Sequence, residues 1–198
     1  MKTNFVLIDY ENVQPKLLSA LNQEQFRVFI FVGENQSKIP FELVETLQEF
    51  GTKAKYIKID GNGHNALDFH IAFYIGQLAK EEPNSYFHII SRDKGFDPLI
   101  KHLKTIKILC ARSLEVKDMP LFKALNSSSE TERINAVIDN LKQRGSSKPR
   151  KEKTLNSTIN SLFQKSLSGH ELANLIETLK SKKIITIKDG NITYHLED

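Results

Sequence analysis

The chain has 198 residues, of which 39% are hydrophobic and 26% charged, as in soluble globular proteins of one ordinary domain plus a small one. Its apolar runs are too short to span a bilayer, and its N-terminus lacks a signal peptide's apolar stretch, which excludes membrane and secreted classes. The net charge of +4 is weak evidence for a polyanionic partner, and the single cysteine, Cys110, is expected to be a buried thiol in a cytoplasmic protein.

The first part of the chain alternates two kinds of pattern. Apolar runs rich in β-branched and aromatic residues predict five buried strands: Phe5–Ile8, Phe26–Val32, Tyr56–Ile59, Phe87–Ile90 and Ile106–Leu109. Segments of helical period separate them: Leu17 to Leu21, Phe41 to Gln48, Leu67 to Leu78 and Leu99 to Leu103. Asp97 before Pro98 has the form of an N-cap at the start of the fourth helix. The alternation predicts an α/β fold with a parallel sheet covered by helices on both faces, which binds ligands beyond the carboxyl ends of its strands.

The composition changes after residue 125, so we predict domains at 1–125 and 126–198, with a turn or linker at 126–129. Apolar residues at helical spacing predict two helices, at 131–144 and 155–163. A Ser-x-x-Glu capping box at Ser168 opens a third. Two short apolar runs joined across Asp189-Gly190-Asn191 predict a β-hairpin. Three helices closed by a hairpin match a small α+β winged helix, a module that binds nucleic acid or a protein partner.

A basic segment lies inside this second domain. Residues 142–153 carry six basic residues and one acidic residue. Such a segment attracts phosphates through a salt-dependent electrostatic interaction. A solvated, flexible linker explains the composition equally well, and the two interpretations are compatible.

Four aspartates fall at informative positions. Asp9 ends the first strand, Asp93 follows the fourth, and Asp97 begins the fourth helix. Asp68 interrupts the apolar run of the third helix, where a charge requires a partner or a metal. If the first and fourth strands are neighbours, Asp9 and Asp93 face each other at their carboxyl ends. A strand-end turn, an N-cap or plain surface would each explain one of these acids alone.

Grouped carboxylates repel one another unless a cation neutralises them. Mg²⁺ and Mn²⁺ prefer oxygen ligands, and such ions can activate water and stabilise the oxygens of a phosphodiester displacement. We therefore predict that the four aspartates are both catalytic and metal-binding. The neighbouring Asn12, Ser91, Arg92 and Lys94 are candidates for substrate binding. Glu11, His64 and His70 are interpreted as surface or structural residues.

At these positions the chain resembles the PIN-like nucleases of the NYN type. The family has an acid after the first strand with an Asn soon after, matched by Asp9 and Asn12, and a helix-borne Asp, matched within 65–68. It also has a Ser-x-Asp block running into Phe-x-Pro-Leu-Ile, matched by 91–100. The resemblance covers roughly residues 3–115. Many relatives carry their second acid directly in the block, whereas here it falls two residues further on.

The resemblance implies a PIN fold, a divalent metal held by the four aspartates and hydrolysis of phosphodiester bonds, usually in RNA. The C-terminal module resembles the winged-helix domains attached to such nucleases. The expectation is thus a metal-dependent ribonuclease, with RNA as the partner and no membrane. Two alternatives stay open: a catalytically weak module that holds RNA or a protein, and a DNA-directed nuclease. A homodimer is also left open.

Other aspartate-rich α/β classes fit less well. A haloacid-dehalogenase-type phosphatase requires Asp-x-Asp at the first strand, where this chain has Asp9-Tyr10-Glu11. A receiver domain requires a Lys near Pro after the fifth strand, which residues 110–113 do not supply. The chain also has no phosphate-cradling glycine motif after its first strand.

Overall fold

A computed structural model describes residues 2–61, 63, 65–125, 129–163, 165 and 167–196. The chain divides into two compact units, Met1–Met119 and Pro120–Asp198. The short helix Pro120–Leu125 therefore belongs to the second unit, whereas the expected boundary followed residue 125. None of the helices in the described part is long and apolar enough to cross a membrane. His64, interpreted as a surface or structural residue, and residues 126–128 of the predicted turn or linker lie outside the described residues.

A five-stranded parallel sheet forms the centre of the first unit. Its strands are β1 (Asn4–Asp9), β2 (Phe26–Val32), β3 (Ala54–Lys58), β4 (Tyr86–Ile90) and β5 (Leu109–Ser113). Their order is β3-β2-β1-β4-β5, and every neighbouring pair is parallel. The predicted parallel α/β sheet is confirmed, and so is the adjacency of the first and fourth strands, where Ile8 pairs with Ile90.

Three helices accompany the sheet in the first unit: α1 (Phe41–Gln48), α2 (Ala66–Glu81) and α3 (Phe96–Thr105). The apolar sides of α2 and α3 share one core cluster with alternate residues of β1 such as Phe5 and Leu7. The residues between these, Val6 and Ile8, are equally buried, so β1 is covered on both faces. Burial on both faces explains why the central strands read as continuous apolar runs.

The fifth strand lies further along the chain than predicted. Helix α3 ends in a left-handed turn, with Lys107 at φ 66° and the amide of Ile108 donating to the carbonyl of Leu103 (3.0 Å). This pattern of bonds is the Schellman motif, which satisfies the last carbonyls of a helix. Ile108 packs against the core from the turn, so Ile106–Ile108 is a helix end and the strand begins at Leu109.

Three helix predictions also need correction. The segment from Leu17 forms only a 3₁₀ turn, Leu18–Leu21. Helix α1 buries Leu43 and Leu47 and leaves Phe41 75% exposed, so the predicted apolar face is rotated. Helix α3 begins at Phe96 after Gly95, and Asp97 lies inside the first turn and is not its N-cap.

The second unit contains α4 (Pro120–Leu125), α5 (Glu130–Gln143), α6 (Glu152–Leu162) and α7 (Gly169–Ser181). The strands β6 (Ile185–Lys188) and β7 (Asn191–Tyr194) form an antiparallel pair. The turn residues Asp189 and Gly190 have φ values of 51° and 69°, as the tight hairpin turn requires. The predicted hairpin and the capping box at Ser168 are both confirmed. This arrangement is compatible with a winged helix.

The basic segment 142–153 is not a flexible linker. Its Arg150 carbonyl accepts from the amide of Ile192 (3.0 Å), and the Glu152 amide donates to the carbonyl of Gly190 (3.0 Å). The Tyr194 hydroxyl donates to the carbonyl of Pro149 (2.7 Å). Residues 149–151 are therefore held along the hairpin as a short third extended stretch, and the ends of the segment belong to α5 and α6.

Candidate active site at the carboxyl edge of the sheet

Asp9 is the last residue of β1 and is completely buried. Its Oδ1 accepts from the backbone amide of Asn12 (3.2 Å), and its Oδ2 accepts from the side-chain amide of Asn12 (2.7 Å). The Ser91 hydroxyl also donates to Oδ2 (2.7 Å). All of these donors are neutral, and no cationic side chain in the described part of the chain lies within 4.0 Å of Asp9. The charge of this carboxylate is thus hydrogen-bonded but not neutralised.

Ser91 connects the ends of β1 and β4. It directly follows β4 and is completely buried, and its amide donates to the carbonyl of Ser113 at the end of β5 (3.1 Å). While the Ser91 hydroxyl donates to Asp9, its oxygen accepts from the amide of Asp93 (3.0 Å). One side chain therefore fixes both the strand-end carboxylate and the loop that carries the next acid.

The loop after β4 is folded back on itself. The Asp93 carboxylate accepts from the amide of Gly95 (2.7 Å), and a Cβ at Gly95 would lie 3.1 Å from the Asp93 Oδ1. A glycine here lets the carboxylate approach the backbone closely. Asp68, a half-buried residue in the first turn of α2, belongs to the helix that contacts β1.

Asp97 has a cationic partner, unlike Asp9. The Arg112 guanidinium on β5 donates to both its oxygens, at 2.8 and 3.1 Å, and also to the carbonyl of Ser91 (3.2 Å). The hydrogen bonds from Arg112 hold the pKa of Asp97 below its usual range. A metal role for Asp97 stays a prediction, in which the cation would compete with Arg112 for the carboxylate oxygens.

The remaining predicted residues line the same edge with less constraint. Asn12 is engaged with Asp9, as described above. Arg92 is mostly exposed and lies 3.9 Å from Glu115, and Lys94 is exposed. Both side chains are accessible to a phosphate group from solvent, and their role in substrate binding stays a prediction. Glu11 is exposed, as expected, but its carboxylate lies directly over Gly33 at the end of β2, where a Cβ would be 1.6 Å from the Glu11 Oε1.

Sequence reasoning missed Arg112 and the bridging function of Ser91. Arg112 lies three positions beyond the run predicted as the fifth strand, so the misplaced strand hid its position inside β5. Cys110 is a buried thiol as predicted, and burial raises its pKa to about 12. His70 is structural, with its Nδ1 2.8 Å from the carbonyl of Ala66.

The donor chemistry of the edge suits a hard divalent cation. A carboxylate offers about four lone-pair sites, and the hydrogen bonds of Asp9 occupy three of them. Among the described residues, however, no three acidic, histidine or cysteine side chains are already grouped as a metal site. The residues therefore fit such an ion because their donor atoms are oxygens and the charge of Asp9 is not neutralised. A complete set of metal ligands is not grouped among the described residues.

A family model described as a PIN domain matches residues 3–113, which is more than half of the chain and coincides with the sheet and its flanking helices. The chain belongs to the PIN-domain family. The PIN domain thus places Asp9 and Ser91 where β1 and β4 end side by side. No curated protein matches this chain, and no solved structure does.

Proposed function

We propose that the protein is a Mg²⁺- or Mn²⁺-dependent ribonuclease of the NYN type. PIN domains are typically metal-dependent nucleases, often acting on RNA. The observation that carries the proposal is the completely buried carboxylate of Asp9, whose hydrogen-bond donors among the described residues are all neutral. Burying an unneutralised charge is costly, and a bound cation removes that cost.

In this proposal, Asp9, Asp68 and Asp93 hold the cation, and Asp97 joins them when Arg112 releases it. When bound, the ion lowers the pKa of a water and stabilises the charge that develops on the phosphodiester oxygens. Ser91 and Asn12 keep the Asp9 carboxylate in place through their hydrogen bonds.

The exposed cations at the edge orient the substrate in this proposal. Arg92 and Lys94 flank Asp93 and meet the phosphates on either side of the scissile bond. Arg112, once displaced from Asp97, is a further phosphate ligand, because its planar fork matches phosphate oxygens. The second unit is a winged-helix-like accessory module that holds nucleic acid or a partner, and the cytoplasmic location inferred from the single buried Cys110 belongs to the same proposal.

A cleavage assay tests the proposal. A fluorescein-labelled single-stranded RNA is incubated with the full chain in Mg²⁺, in Mn²⁺ and in EDTA. We expect cleavage with either metal and none in EDTA. We also expect Asp9→Asn and Asp93→Asn each to lower the rate by roughly a thousandfold, equivalent to about 4 kcal/mol of transition-state stabilisation.

Asp139→Asn is the matched control, because Asp139 is an exposed acid on α5 in the second unit and the substitution changes the charge equally. It should cleave like the wild type. RNA binding without metal-dependent cleavage would support the catalytically weak binding module instead. A DNA strand of the same sequence, cleaved faster than the RNA, would identify the chain as a DNA-directed nuclease.

A further inference from the structure

An open groove of about 610 Å³ lies in the second unit, where the start of α6 meets the turn of the hairpin. Its lining includes Lys151, Lys153 and Thr154 from the chain entering α6, and Gly190 from the turn. The groove also contains one acid, Glu152. Its size is that of a ligand site, and it is lined by charged and polar residues whose apolar atoms contribute most of its surface.

The cationic side chains of this groove are exposed to solvent. Lys151 and Lys153 are exposed, as are the adjacent Arg150 and Lys188. None of these four forms an ion pair within the described residues. With Glu152 and the exposed Asp189 as the nearby acids, the local excess of positive charge is available to an anion from solvent.

The backbone beneath these side chains is fixed. Lys151 forms an antiparallel bridge with Asn191, between the bonds that Arg150 and Glu152 make to the hairpin. A cation on an anchored backbone loses less conformational freedom on binding than one on a flexible linker. The basic segment thus presents its charges from a rigid support.

Helix α7 differs from the groove in the pairing of its charged residues. In winged helices the helix before the hairpin is the usual reader of nucleic acid. Here the charged residues of α7 are already paired: Glu177 with Lys180 (2.7 Å), and Glu171 with Arg133 (2.9 Å). Within α7 the one lysine, Lys180, is thus already paired, and the lysines at this end that form no ion pair in the described part of the chain, Lys182 and Lys183, follow the helix.

We propose that the second unit binds the phosphodiester backbone of nucleic acid along this groove, through Lys151 and Lys153 with support from Arg150 and Lys188, and not through α7. The inference rests on the proposed nucleic-acid substrate and assigns the accessory surface that holds it. Contacts of this kind are independent of sequence and depend strongly on salt.

Binding of the full chain to labelled RNA in EDTA tests the groove apart from any cleavage. The variant Lys151→Gln/Lys153→Gln is compared with Lys180→Gln/Lys182→Gln, which removes the same charge from the end of α7. We expect the groove variant to bind roughly tenfold more weakly, with a log–log salt slope smaller by about 1.4, since each phosphate contact to a single strand contributes ~0.7. The α7 variant should stay within about twofold of the wild type.

Charge reversal, Lys151→Glu/Lys153→Glu, should weaken binding further, and an unchanged melting temperature shows that each variant is folded. Single-stranded RNA, duplex RNA and single-stranded DNA distinguish the sources of the phosphate backbone. Equal losses in both Gln variants, a larger loss in the α7 variant, or no binding by the wild type would overturn the groove. Binding in EDTA without cleavage in metal would overturn the nuclease proposal alone.

Discussion

Two buried ionisable side chains of the sheet, His88 and Asp9, meet burial in different ways. His88 lies inside β4, stacks on Tyr86 and contacts the side-chain oxygen of Asn4 (3.0 Å). Burial lowers its pKa to about 3, so its ring is neutral near pH 7. Asp9, at the end of β1, has three hydrogen bonds from neutral donors and no ion-pair partner among the residues that the structure describes. The interior of the sheet holds His88 in its neutral form. The edge of the sheet instead holds the Asp9 carboxylate in a fixed position, as the ligand of a cation is held.

The largest expected effect breaks the Asp9 side of this comparison. Ser91→Ala removes the hydroxyl that donates to Asp9 and accepts from the Asp93 amide. Because removal of groups that orient metal ligands typically costs 10–100-fold, we expect metal affinity and cleavage rate to fall by about that factor. Manganese titration followed by calorimetry, together with the RNA assay, measures both.

Ser113→Ala is the control for Ser91→Ala, since Ser113 is a buried serine at the end of the neighbouring strand β5. It should keep wild-type metal affinity. If Ser91→Ala also keeps it, Ser91 has a structural role only and does not orient a ligand.

The next effect sharpens the His88 side. The unfolded chain takes up a proton on this histidine below about pH 6.5, whereas the native chain cannot do so until about pH 3. Native stability due to His88 is therefore lost as the pH falls through this window, by about 1.4 kcal/mol per pH unit well below 6.5. His88→Gln should reduce the stability loss between pH 7.5 and pH 5 by about 2 kcal/mol, measured by urea unfolding.

His102→Gln provides the reference for that measurement, because His102 is exposed near the end of α3. It should retain the wild-type dependence on pH. An identical dependence in all three proteins would mean that His88 is not kept neutral by burial.

The smallest effect concerns Asp97, the acid that already has a cation. Arg112→Gln removes both bonds to Asp97 and the bond to the Ser91 carbonyl. We expect the free energy of unfolding to fall by about 1 kcal/mol, because the pair is partly exposed. Metal affinity should rise about threefold as a fourth carboxylate is released. Weaker metal binding in this variant would show that Arg112 supports the site and does not compete for Asp97.

Much of the first unit could be predicted, because strands that are buried on both faces consist mainly of apolar residues. The run Phe26–Val32 is apolar except for Arg27, and the structure has β2 at these residues. The same rule failed at Ile106–Ile108, because a helix end that turns back onto the core also carries apolar residues: Ile108 packs against the core, while Ile106 is exposed. A buried strand and this helix end differ in the left-handed turn at Lys107, and a lysine in the sequence does not predict such a turn.

The site was predictable at the level of acids and not of their partners. Asp9 and Ser91 were found because both follow apolar strands, and parallel neighbours bring such positions together. The pairing of Arg112 with Asp97 depends on where β5 lies, and the bridge through Ser91 depends on side-chain direction. In the second unit, composition suggested a flexible linker at 142–153, but hydrogen bonds to the hairpin hold part of this segment in one conformation.

Thermal unfolding of wild type and Asp9→Asn, with and without Mn²⁺, tests the central claim most directly. Ligand binding to the native state raises the melting temperature, and an uncompensated buried charge lowers it. We predict that Mn²⁺ stabilises the wild type, by about 2.7 kcal/mol at a concentration 100 times its dissociation constant, and leaves Asp9→Asn unchanged. Without metal, Asp9→Asn should be at least as stable as the wild type. Equal stabilisation of both proteins by Mn²⁺ would contradict the assignment of Asp9 as a metal ligand.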